Sequence, residues 1–129
     1  MKAKCFVPVT GMDNTKARDP RLAGTDINRI RLSVGYDPGG VNHFTCKTDA
    51  RGYYLYVSPE HTNDVITQYM FGAGCKYLLT RVPRQSKKRA AEAIEIATER
   101  APAMVEWCCK EYGLIVEPTE IKFKMEESA

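Results

Sequence analysis

The run from Ser86 to Tyr112 constrains the fold more than any other stretch, because it reads as one long helix with unequal sides. At about 100° per residue, Ala90, Ile94, Ala97, Ala101, Met104, Val105, Cys108 and Tyr112 gather on one side. Glu92, Glu95, Glu99, Glu106 and Lys110 crowd a narrow arc opposite, and Ala93, Ile96, Ala103 and Trp107 form a second apolar edge between them. So narrow a polar arc suits a rod covered on more than one side. The main apolar side is expected on a sheet. The edge bearing Ile96, Ala103 and Trp107 is expected against a second copy of the chain, giving a homodimer. Ser86 is the expected cap and Gly113 the stop. Pro102 lies inside the run, removes a hydrogen bond and crowds the preceding turn, so a kink or break is expected near Arg100–Ala101.

The rest of the chain reads as strands and turns. Residues 3–9 alternate weakly (Ala3, Cys5, Val7, Val9) and suit an edge strand because of Pro8. Residues 10–25 carry no period and read as a loop or mobile arm. Ile30, Leu32, Val34 and Tyr36 then alternate with Arg29, Arg31, Ser33 and Gly35, a strand with one apolar and one basic face. Asp37-Pro38-Gly39-Gly40 is a turn, Val41–Thr48 a second strand, Asp49-Ala50-Arg51-Gly52 another hairpin and Tyr53–Ser58 a third strand. Ser58-Pro59-Glu60 has the composition of a helix start, which predicts a short helix near 59–71. Cys75–Val82 is a fourth strand, residues 114–125 a last extended segment and 126–129 a frayed tail. The expected fold is a single α+β domain over 1–129: an antiparallel meander sheet of four or five strands packed by one long, Pro-kinked C-terminal helix.

Composition narrows the function less than the fold. The chain has 129 residues, 43% hydrophobic and 27% charged, with a net charge of +3, which permits a polyanionic partner without demanding one. The apolar run after Met1–Lys4 is cut by Pro8 before it reaches the roughly 7–15 residues of a signal-peptide core. No stretch approaches the ~18 apolar residues of a membrane span. The expected location is the cytoplasm, where the five cysteines would stay reduced. His43 and Cys46 are spaced H-x-x-C, which a strand sends to opposite faces, and no cysteine pair has zinc-site spacing, so neither a metal nor a cofactor is expected. No nucleophile elbow, phosphate-binding glycine loop or dinucleotide fingerprint occurs, and no catalytic residue is assigned.

The most suggestive pattern is basic and aromatic. If Tyr54 and Tyr56 share the face of Arg29 and Arg31, the sheet offers a surface that stacks bases and tracks phosphates. Between Lys76 and Arg89 the ionisable charges are all cationic (Lys76, Arg81, Arg84, Lys87, Lys88, Arg89), a local positive patch. The order of meandering strands followed by a long helix resembles the Whirly type of single-stranded DNA-binding proteins. Arg51-Gly52-Tyr53-Tyr54-Leu55, followed by Ser58-Pro59-Glu60, is similar to a segment of that family. The stretch 59–73 and the segment after the helix depart from its pattern, and no site residue is carried over. The leading expectation is a non-catalytic module binding single-stranded nucleic acid through Arg29, Arg31, Tyr54, Tyr56, Arg81, Arg84, Lys87 and Lys88. The alternatives are a homo-oligomeric structural or regulatory protein-interaction domain, and a small enzyme or ligand carrier with a sheet/helix pocket near His43 or His61.

Overall fold

Alternating burial along two long strands, and burial of both faces along most of a third, build the sheet. In β1 (Lys2–Met12), Ala3, Cys5 and Val7 are buried while their neighbours are not; β2 (Ile27–Asp37) buries Ile30, Leu32 and Val34; β5 (Gly52–His61) buries Tyr53, Leu55 and Val57. The computed structural model describes residues 2–13, 15, 27–43, 46–61 and 75–126. Two short strands, β3 (Gly40–Asn42) and β4 (Lys47–Asp49), make a separate ribbon, and β6 (Cys75–Arg81) follows β5. The helix α1 (Lys87–Tyr112) leads to β7 (Leu114–Val116) and β8 (Lys124–Glu126). The main sheet has six antiparallel strands in the order β6-β5-β2-β1-β7, with β8 also on β1. β7 and β8 share one edge of β1, β8 pairing Lys2–Lys4 and β7 pairing Val9, Gly11 and Met12.

α1 packs on one face of this sheet through a seam of small residues. Ala90, Ala93, Ala97, Ala101 and Cys108 are all buried and recur at three-, four- and seven-residue steps, so the backbone lies close over Ile30, Leu32, Leu55 and Val57. Ala93 therefore belongs to the seam and not to the outer edge where its wheel position placed it. The Ser86 hydroxyl accepts from the Arg89 N–H at 3.3 Å, and Gly113 ends the helix with φ of 66° and its N–H bonded to the Cys109 carbonyl. Tyr53 ties the helix start to β5: its buried hydroxyl donates to the Ser86 carbonyl and accepts from the Ser86 N–H, both at 3.1 Å. The helix runs unbroken through Pro102. That proline is exposed, so water can satisfy the carbonyl its missing N–H leaves unbonded.

Other details differ from expectation. Val41–Thr48 is not a strand of the meander; β2 pairs directly with β5, from Ile27↔His61 to Asp37↔Gly52. The intervening residues fold as the β3–β4 ribbon, entered through Gly39 (φ 76°) and Gly40 (φ 114°), whose positive φ directs the chain away from the sheet. Gly52 is required for a different reason, because a Cβ there would collide with the Thr80 carbonyl of β6. Ser58-Pro59-Glu60 does not start a helix. These residues extend β5 and pair with Arg31, Ile30 and Arg29, while the pairing of β6 stops at Val57. Pro59 thus sits where β5 has β2 alone as a paired neighbour among the described residues, which tolerates a missing N–H. The rest of the predicted 59–71 helix lies outside the described residues, as do most of 10–25 and all of 127–129. Thr10–Met12 are strand, drawn into β1 by β7, and Glu126 is the end of β8. Among the described residues, no helix is long and apolar enough to cross a membrane.

Candidate functional site

Because α1 lies on one face, the alternate residues of β1, β2 and β5 form the opposite face, exposed or half-buried over most of β1 and β2 and buried at Tyr54, Ser58 and Glu60 of β5. It carries Lys2, Lys4 and Phe6 from β1, Arg29, Arg31, Ser33 and Gly35 from β2, and Tyr54, Tyr56, Ser58 and Glu60 from β5. The sheet register therefore brings Arg29, Arg31, Tyr54 and Tyr56 together. A groove of about 300 Å³ crosses the strands there, lined by Lys2, Lys4, Arg31, Ser33, Gly35, Tyr56 and Ser58 among others. With no side chain, Gly35 leaves the floor open between the Lys2 stem and the Tyr56 ring, 3.7 and 3.9 Å from where a Cβ would stand. A second depression of about 460 Å³ shares Lys4 with it and is lined also by Phe6, Glu120, Lys122, Lys124 and Met125, with Lys122 3.7 Å from the Glu120 carboxylate.

The face carries two ion-pair clusters. Towards the hairpin end, the Lys76 ammonium bonds Asp37 and Asp49, each at 2.8 Å, and lies 4.3 Å from the Tyr54 ring centroid. Tyr54 is 5% exposed and its hydroxyl donates to the Ala50 carbonyl at 2.7 Å, so its ring is packed under Lys76 and the end of the β3–β4 ribbon. The Tyr56 hydroxyl donates to Asp37 at 3.4 Å. Two carboxylates thus converge on the Lys76 ammonium, and the Arg81 charge also reaches Tyr54. Farther along, the buried Glu60 carboxylate is shared by two guanidiniums: Arg29 at 2.8 Å and Arg31 at 3.5 Å. Among the described residues two guanidiniums thus meet one carboxylate, and Lys2 and Lys4 line the groove with Arg31.

The ionisation states follow from these contacts. The Lys76 hydrogen bond is the largest influence on Asp37 and, against the opposing effect of burial, holds its carboxyl below the ordinary 3.8. Burial disfavours the charge on Lys76, but its bonds to Asp37 and Asp49 outweigh that and raise its pKa. Burial, aided by the Asp37 charge, pushes the Tyr56 hydroxyl up to about 12, and burial also raises Tyr54. Both phenols remain donors at neutral pH.

The remaining predicted residues are elsewhere. Arg81 is exposed at the end of β6, opposite Gly52, with its charge felt at Tyr54. Arg84, Lys87 and Lys88 are exposed around the start of α1, away from the groove lining. Ile96 is half-buried, Ala103 exposed and Trp107 37% exposed, its ring edge-to-face with Tyr112 at 6.5 Å. His43 is exposed beside the β3–β4 ribbon. The space between sheet and helix bounded by Ala3, Val34, Tyr53, Ala90, Ile94 and Met125 holds about 10 Å³, barely one water, and leaves no room for a substrate there. Among the described residues no three metal-ligating side chains converge, and Cys5, Cys46, Cys108 and Cys109 are free thiols.

Sequence reasoning missed Lys2, Lys4, Phe6 and Glu60. The even positions of β1 held the signal for the first three, since alternation that buries Ala3, Cys5 and Val7 must present Lys2, Lys4 and Phe6 opposite. Glu60 was hidden by its apparent place in a helix start. No protein-family model, curated protein or solved structure matches the chain. The resemblance of element order noted above therefore rests on the sequence alone.

The Asp37–Lys76 pair predicts a specific acid response. A carboxyl whose folded pKa lies below its unfolded value stabilises the fold above pH 3.8, and that contribution disappears as pH falls through the lowered value. Asp37→Asn is expected to cost about 1–2 kcal/mol at pH 7 and to flatten the loss of stability between neutral and acidic pH, measured by urea unfolding. Equal pH slopes in the two proteins would contradict the assignment.

Proposed function

We propose that the sheet face opposite α1 binds single-stranded nucleic acid, with the phosphate backbone running through the groove between Lys2, Lys4 and Arg31. The observation that carries this reading is the gathering of those cations in one groove, with Arg31 linking it to the Arg29–Glu60–Arg31 cluster. Lysine and arginine over hydroxyls and a bare glycine favour an extended anion that approaches the sheet closely. Lys122 and Lys124 continue past Lys4, with the Glu120 carboxylate paired to Lys122. Tyr54 and Lys76 support the face from beneath and from one end instead of meeting the ligand, and Arg84, Lys87 and Lys88 form a separate outlying patch.

A second reading, self-association through the helix, draws on Trp107. This large ring is more than a third exposed on the edge that also carries Ile96 and Ala103, spaced so that all three lie along one line of α1. The two readings use opposite sides of the molecule and are compatible.

Fluorescence anisotropy with a labelled oligonucleotide tests the first. Affinity is expected to fall steeply with salt, and Lys4→Ala and Arg31→Ala each to weaken binding several-fold and lower the salt slope by about one. Tyr54→Phe, which removes only the bond to Ala50, should bind like the parent. Absence of binding at low salt overturns the reading. For the second, Trp107→Glu should halve the mass seen by light scattering; a monomeric parent protein would contradict it.

A further inference from the structure

The geometry points to a base-stacking platform made by Arg29 lying on Phe6 and locked in place by Glu60. This inference rests on the nucleic-acid reading above and assigns the stacking role to residues other than the tyrosines.

Glu60 is 5% exposed, and a carboxylate so deeply buried is tolerated only when its charge is matched. It is matched by Arg29, whose Nε and Nη2 donate to the same oxygen at 2.9 and 2.8 Å, and by Arg31 on the other oxygen. The Arg29 guanidinium carbon also lies 4.1 Å from the centroid of the Phe6 ring. An arginine on a sheet surface ordinarily samples many rotamers. Here one edge of the guanidinium is held by a buried carboxylate and one side rests on an aromatic ring, so its plane is fixed before any ligand arrives. The Arg29 side chain nevertheless remains 44% exposed and Phe6 40% exposed. A planar cation with a fixed orientation and a solvent side is a surface on which a nucleobase stacks.

The neighbouring tyrosines are poorly placed for this work. Tyr54 is covered, and the Tyr56 hydroxyl is held by Asp37, itself paired with Lys76. Arg31 links the two parts of the site: it lines the groove, contacts Glu60 and faces Phe6 across the β1–β2 register. Phosphates in the groove would thus deliver an adjacent base to the Phe6–Arg29 stack. A duplex, whose bases are already stacked on each other, cannot use it, so the platform selects single strands.

The test compares the whole chain binding a thymidine oligonucleotide with its binding of an abasic phosphodiester of equal length, at several salt concentrations. The parent protein is expected to prefer the base-bearing strand about tenfold, the scale of a single stacked base. Arg29→Lys keeps the charge and loses the plane; it should bring the preference close to one while leaving affinity for the abasic strand within about twofold. Phe6→Leu should move the preference the same way. Equal affinity of the parent for the two strands, or an undiminished preference in Arg29→Lys, overturns the platform while the backbone groove stands. Failure of either strand to bind at low salt removes the nucleic-acid reading and the platform together.

Discussion

The close seating of α1 on the sheet is the constraint from which the rest follows. Alanines at 90, 93, 97 and 101 with Cys108 allow the helix backbone to approach without a layer of large side chains between them, and the bulk comes from the sheet: Ile30, Leu32, Leu55, Val57 and the ring of Tyr53. Non-directional burial of this kind supplies most of the driving force but does not fix where along the sheet a helix begins. Tyr53 does that. Its ring is in the core, edge-on to Tyr36 at 5.5 Å, while its hydroxyl bonds both backbone groups of Ser86 at the helix start. Packing and register are set by the same residue.

Among the described residues one helix packs on the six-stranded sheet, and the face opposite it is polar in an organised way. Its buried groups are each partnered: Glu60 by two arginines, and the Tyr54 hydroxyl by a backbone carbonyl. Lys76 is held between Asp37 and Asp49, while Lys2, Lys4 and Arg31 line the groove. Their gathering lets a chain with a net charge of only +3 concentrate cations at one place on the sheet.

Much of this was legible in the sequence where period and cap agreed. The helix limits, the Ser86 cap and the Gly113 stop follow from local chemistry, and β2 announced both faces through strict alternation of Ile30, Leu32 and Val34 with Arg29, Arg31 and Ser33. Errors came where local signals and tertiary pairing disagree. Ser58-Pro59-Glu60 has every mark of a helix start, yet Arg29 and Arg31 across the sheet supply Glu60 with partners that a solvent-exposed first turn could not. Val41–Thr48 has strand-forming residues, but Gly39 and Gly40 turn the chain away before it can join β2. The burial of Tyr54 was not readable at all, because it depends on Lys76 and Ala50 arriving from two separate hairpins.

The central claim is that one face of the sheet serves the fold and the other serves a ligand. Amide chemical-shift mapping during titration with a thymidine oligonucleotide tests it most directly. The account predicts shifts concentrated at Lys4, Phe6, Arg29, Arg31, Ser33 and Gly35, with Ala93, Ala97 and Ala101 of the seam unmoved. Shifts centred on α1, or spread evenly over both faces, would contradict it.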